Sequence, residues 1–121
     1  MKTTTYLTSV VAGMAFLLAG VIAIDGVATY YSQFGVAGSC GVYHQDTDFI
    51  VALGPAWGHN TKCGRAVSIR SKATGRVTAA IVADTCTSCP QTKLDVSEGL
   101  YKYLNNGVLG LDLLQIEWNF I

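Results

Sequence analysis

Residues 77–97 read VTAAIVADTCTSCPQTKLDVS, and the period of the side chains changes within this stretch. From Val77 to Asp84 the pattern is that of a strand: Val77, Ala79, Ile81 and Ala83 share one face, and Thr78, Ala80, Val82 and Asp84 the other. With Ala66–Arg70 upstream and a turn through Ala73-Thr74-Gly75, it predicts a β-hairpin. The strand ends on an acid, Asp84, and runs into the Cys86-Thr87-Ser88-Cys89 turn. Beyond it Val96, Leu100, Tyr103 and Leu104 recur at helical spacing. Ser97 can cap that helix and Asn105-Asn106-Gly107 can end it. Asp95 stands just before the helix. A carboxylate at a strand end and another at a helix start are both well placed to line a groove. Each also has a purely architectural use: Asp95 suits a helix N-terminus through capping and the dipole, and Asp84 can accept backbone hydrogen bonds in the turn.

Outward from this stretch the chain reads as short strands separated by turns. Gly26–Tyr31 and Asp48–Leu53 are predicted strands, while 33–39 and 54–64 are glycine-containing loops. The clearest alternation lies at the end, over 111–121. There Leu114, Ile116, Trp118 and Phe120 share a face opposite Gln115, Glu117 and Asn119, which places Trp118 in the core. Many short strands and one helix in about 100 residues suggest a small closed β-barrel.

The first residues do not fit that pattern. Lys2 and the amino terminus precede a run from Val10 to Ile24 with no polar side chain. The run is shorter than the roughly 20 residues a membrane span needs, and Val21-Ile22-Ala23 offers a cleavage site. We expect a signal peptide over 1–23, a single domain over 24–121, a secreted product and no stable membrane anchor. The whole chain has a formal net charge of +0 and no basic block, so a nucleic-acid partner is not expected. No N-x-Ser/Thr sequon is present, and N-glycosylation is not expected.

Cys40, Cys63, Cys86 and Cys89 all follow the signal segment. In an oxidising compartment they predict two disulfides, with three connectivities open. A redox C-x-x-C normally abuts a helix N-terminus, whereas here Pro90-Gln91-Thr92 intervenes. A zinc site is disfavoured because there is only one C-x-x-C. His44, Asp46 and Asp48 read as a solvated loop rather than a metal site, and no nucleotide or flavin motif occurs. No cofactor and no metal are expected.

Several motifs occur in a fixed order: G-x-x-T-x-Y (Gly26, Thr29, Tyr31), G-x-C-G (Gly38–Gly41), C-G-R (Cys63–Arg65), a strand ending D-x-C-x-x-C (Asp84–Cys89), L-D-x-S (Leu94–Ser97) and a final strand with Trp118. Together they resemble the double-psi β-barrel proteins: expansin first domains, barwin, family-45 endoglucanases, RlpA-like proteins and, nearest, single-domain fungal loosenins. The resemblance runs from about Gly26 to Phe120. It implies a mainly β, six-stranded double-psi barrel with one short helix, and disulfides Cys40–Cys63 and Cys86–Cys89. It also implies an open polysaccharide groove with Thr29, Tyr31, Asp84 and Asp95 in it, Asp95 being the acid that donates to a glycan oxygen. Where the family has His-Phe before that aspartate, this chain has Lys93-Leu94.

An inverting glycosidase needs a second carboxylate as base. In hydrolytic relatives that base follows the first-strand motif, where this chain has Ser32 and Gln33, neither of which can serve. Glycan loosening without hydrolysis is therefore preferred and an enzyme is not expected, although a lytic transglycosylase needs one acid only. Tyr30, Tyr31, Tyr43 and Trp57 are candidates for the flat aromatic faces of a glycan groove. The expected partner is cell-wall polysaccharide (cellulose, chitin or peptidoglycan) met by a monomer. The alternative is a protein target, as for a protease inhibitor or a secreted effector.

Overall fold

A computed structural model describes residues 23–110 and 113–121 of the chain. The expected signal segment, apart from Ala23, lies outside the described residues. Among these, no helix is long and apolar enough to cross a membrane.

Six strands close into a barrel: β1 (Ile24–Tyr31), β2 (Ile50–Leu53), β3 (Ala66–Ser71), β4 (Val77–Thr85), β5 (Leu94–Ser97) and β6 (Leu114–Phe120). Their order around the barrel is β1-β5-β2-β4-β3-β6. β1 pairs in parallel with β5, and β2 with β4, while the remaining neighbours are antiparallel. The β3–β4 pair is the predicted hairpin, with Ala66 opposite Ile81 and Arg70 opposite Val77. Closure matters for so small a domain, because it leaves no strand edge unpaired.

The interior follows the alternation. Val51, Val67, Ile69, Leu94, Ile116 and Trp118 are all buried within it. Trp118, predicted for the core, is 1% exposed, and its indole N–H donates to Thr92 O at 3.0 Å. Helix α1 (Glu98–Leu104) packs Leu100, Tyr101 and Leu104 against the barrel. Ser97 caps it by accepting from Leu100 N, and also donates to Asp48 O, so one hydroxyl joins the helix start to the entry of β2.

Two features depart from the local reading of the sequence. Val96, assigned to the helical period, lies in β5, where Leu94 and Val96 point into the barrel and Asp95 points out. The second is a bulge. Val51 pairs with Val82 but Ala52 pairs with Asp84, skipping Ala83. Strict alternation put Asp84 on the face of Ala80 and Val82, which is the interior. The extra residue turns it to the outside, as bulges do where they re-aim a side chain.

Two glycines are fixed by contact. A Cβ on Gly26 would stand 1.9 Å from Thr92 O, and one on Gly38 would stand 2.5 Å from Ala83 O and 3.0 Å from Asp84 Cγ. The second contact seats the loop after β1 directly on the bulge.

Candidate functional site

The strand registers bring the groove residues together. Asp84 on β4 pairs with Ala52 on β2, Ala52 with Asp95 on β5, and Asp95 with Thr29 on β1. The two aspartates therefore flank β2 and are separated by two strand spacings, about 10 Å at the backbone. Ala52 between them is small, which leaves the outer face above it low. Tyr31, two residues past Thr29 on the same face, reaches across the row, and its hydroxyl donates to Asp84 Oδ2 at 3.2 Å.

The aspartates are held differently. Asp84 Oδ1 accepts from Ser39 N and from Thr85 N, each at 2.8 Å, and Oδ2 accepts from Tyr31. Asp95 Oδ1 accepts from the Thr29 hydroxyl at 2.9 Å. Burial pushes the Asp95 carboxyl above its ordinary value; the Thr29 hydrogen bond and Lys93 oppose this, and Asp84 adds to it. Tyr31 is pushed well above the usual phenol range, first by burial and then by the Asp84 charge beside it. Asp95 thus holds a proton more readily than an ordinary aspartate, and Tyr31 keeps its own proton for Asp84.

Disulfides join Cys40 to Cys63 and Cys86 to Cys89. Both lie at the Asp84 end of the row. Cys40 N donates to Ala83 O at 3.3 Å and Gly64 N to Val82 O at 2.9 Å, so the first bridge clamps two loops onto the end of β4. The second closes the turn that follows Asp84, with Cys86 N donating to Leu53 O at 2.8 Å.

The aromatic candidates separate. Tyr30 points to the opposite side of β1 from Tyr31 and meets Tyr101 edge-on, with centroids 4.9 Å apart. Trp57 packs edge-on against Trp118 and Phe120, and its indole N–H donates to Gln91 O at 2.7 Å, which anchors the ring at the barrel end. Tyr43 is 72% exposed on the loop after Cys40. His44 and Asp48 form a local pair at 3.3 Å. Among the described residues, no group of three or more His, Cys, Asp or Glu side chains is arranged to hold a metal ion.

Three site residues were not found by sequence reasoning. Ser39 and Gly38 come to Asp84 only through the loop after β1. Glu98, the first residue of α1, accepts from the Ser32 hydroxyl, so a carboxylate stands beside the position at which the sequence resemblance leads one to look for a base. The sequence signal for Glu98 was no more than an acid in a helix's first turn. Gln33 is buried, and with Tyr31, Val36, Gly38 and Asp84 it bounds a cleft of about 290 Å³ next to the row.

No protein-family model and no curated protein matches the chain. Solved structures do match it. An expansin from Clavibacter michiganensis superposes with a TM-score of 0.70 at 24% identity, covering 83% of this chain and 50% of that one. A mutant of this expansin in complex with cellohexaose gives 0.67, with the same identity and coverage. The Streptomyces papain inhibitor gives 0.65 at 28% identity, covering 83% of this chain and 94% of the inhibitor. The chain is a double-psi β-barrel. Cerato-platanin 3 from M. perniciosa shares the fold at 14% identity, with a TM-score of 0.59 and coverage of 83% and 94%. The double-psi barrel described here spans half the length of the expansin and nearly the whole of the inhibitor. The fold is common to an expansin, a mutant of which is solved with cellohexaose, and a papain inhibitor, so the function has to be argued from the site.

Proposed function

We propose that this is a secreted protein that binds cell-wall polysaccharide along the outer face of β1, β5, β2 and β4 and loosens it without hydrolysis. The observation that carries the reading is the inequality of the two aspartates. Asp84 accepts on both oxygens, from Ser39, Thr85 and Tyr31, so it braces the groove. Asp95 is half-buried with a raised proton affinity, opposed by a hydrogen bond from Thr29. A carboxyl whose proton affinity is raised, standing in an open groove, can exchange hydrogen bonds with glycan hydroxyls and compete with those that hold neighbouring chains together. Inverting hydrolysis needs a second, unencumbered carboxylate across a water. The mutant expansin solved with cellohexaose supports the choice of ligand class, and the two disulfides suit an oxidising, extracellular setting.

The test is sedimentation with cellulose, chitin and peptidoglycan, with soluble sugar measured alongside. Binding to at least one polymer that falls about tenfold or more in Asp95→Asn, without released reducing or anhydro sugar, is the expected result; a lost hydrogen bond is of that size. Release of sugar that disappears in Glu98→Gln would make the protein a hydrolase with Glu98 as base. Failure to bind all three polymers would remove the reading.

A second reading has its own support. The papain inhibitor is matched over 94% of its length, and the loop after β1 exposes Phe34, Val36, Val42 and Tyr43. A protein-binding barrel would use these apolar residues, and inhibition of papain tests it directly.

A further inference from the structure

The loop that leaves β1 carries Gln33, which is 7% exposed. Its backbone N–H is fixed by Asp46 Oδ1 at 2.7 Å, so the residue is tethered in place. Its side-chain Nε2 has no hydrogen-bond partner among the described residues. An amide nitrogen carries two protons. Gln33 lines the cleft beside the Tyr31 phenol, which feels its side chain, and at least one of the two protons has no acceptor among the described residues. A buried donor left unmade costs about 1–3 kcal/mol and is rare in folded proteins.

The same cleft supplies two complementary features. Asp84 Oδ2 receives the Tyr31 proton, and a carboxylate oxygen has a second lone pair for another donor. Phe34, Val36 and Ala37 give the cleft an apolar wall. A donor, an acceptor and an apolar wall in one pocket complement an acetamido group: its carbonyl oxygen meets Gln33, its N–H meets Asp84, and its methyl meets the wall. A glucose hydroxyl in that place would leave the wall against water. At about 290 Å³ the cleft is at the small end of ligand pockets, the scale of one substituted sugar rather than a length of polymer.

We propose that the Gln33 cleft is an acetamido-recognising subsite at one end of the groove, and that the polysaccharide taken there is built of N-acetylated hexosamine rather than plain glucose. This rests on the groove reading above.

Calorimetric titration of the disulfide-intact protein with chitohexaose and with cellohexaose tests it. Chitohexaose should bind about tenfold tighter or better. Gln33→Leu, which deletes the unmade donor at similar volume, should erase that difference by weakening chitohexaose alone, with a melting temperature unchanged or raised. Equal affinity for the two hexaoses, or a preference that survives Gln33→Leu, would overturn the subsite. The ligand comparison on the unsubstituted protein decides the matter even if the variant does not fold. If cellohexaose alone binds, the groove stands and the acetamido assignment falls; if neither binds, both fall. Papain inhibition that is lost in Gln33→Leu, with no sugar preference, would give the cleft to a peptide amide and overturn the glycan assignment.

Discussion

The two ends of the acidic row are built to opposite plans. At the Asp84 end a bulge, a tight glycine contact, two disulfides and three hydrogen-bond donors converge on one carboxylate. At the Asp95 end a half-buried carboxylate leans on a threonine, and burial raises its proton affinity. The first arrangement fixes a charge and lets nothing move. The second leaves a half-buried carboxyl with one side-chain hydrogen bond and a raised proton affinity. On this difference rest the proposed roles of the two aspartates, one a brace and the other a proton donor.

Substitutions can break this contrast, and they rank by size. The Cys40–Cys63 bridge spans a separation of 23 residues, so Cys40→Ala with Cys63→Ala should cost about 3 kcal/mol and lower the melting temperature most. Loss of Cys86–Cys89, with a separation of 3, should cost less, about 2 kcal/mol on the same loop-closure argument. Asp84→Ala strands Ser39 N, Thr85 N and the Tyr31 hydroxyl, and denaturant unfolding should show a loss of about 2 kcal/mol. Gly38→Ala pushes a methyl into Ala83 O and Asp84, and should cost about 1–2 kcal/mol. If Asp95→Ala lost as much stability as Asp84→Ala, the contrast would be void.

The smaller effects sharpen it. Asp95→Asn should leave the melting temperature at pH 7 unchanged or slightly raised while polymer binding falls, because the half-buried carboxyl becomes an amide of the same shape and the Thr29 contact can remain. The pH dependence has a definite sign. With the Asp95 carboxyl raised above 3.8 in the fold, its contribution favours the folded state at acid pH and is lost as pH rises through the raised value. The stability of the native protein relative to Asp95→Asn should therefore decline from pH 3.5 to pH 7. Thr29→Val removes the hydroxyl that opposes the shift and should move that decline to higher pH, the smallest change of the series. An unmoved profile would show that Thr29 does not act on Asp95.

Local pattern carried a good part of the architecture. The β3–β4 hairpin, the final strand, Trp118 in the core and the Ser97 cap were all readable, because period two, period 3.6 and capping chemistry are written within a few residues. β5 was not readable. Four residues, Leu94–Ser97, are too short for a strand signal when a helix follows at once, and the helical period absorbed Val96. The site was legible in its residue types and much less in its geometry. Tyr30 and Tyr31 looked equivalent as groove aromatics, yet alternation about a closed barrel sends one toward Tyr101 and the other toward Asp84. Gln33 and Ser32 read as a missing base, whereas the loop buries the first and sets the second against Glu98.

By itself the sequence determined a small β domain with four cysteines and two acids in separate motifs, since composition, alternation and turn chemistry are properties of neighbouring residues. The pairing of strands decided the rest. Whether Asp84 faces the core or the groove depends on one skipped residue opposite β2, and no window of sequence contains its partner strand. The same closure sets Asp95 beside Thr29 and Tyr31 beside Asp84. Those contacts, made between residues far apart in the chain, give two ordinary aspartates the unequal surroundings on which the proposed brace and acid rest.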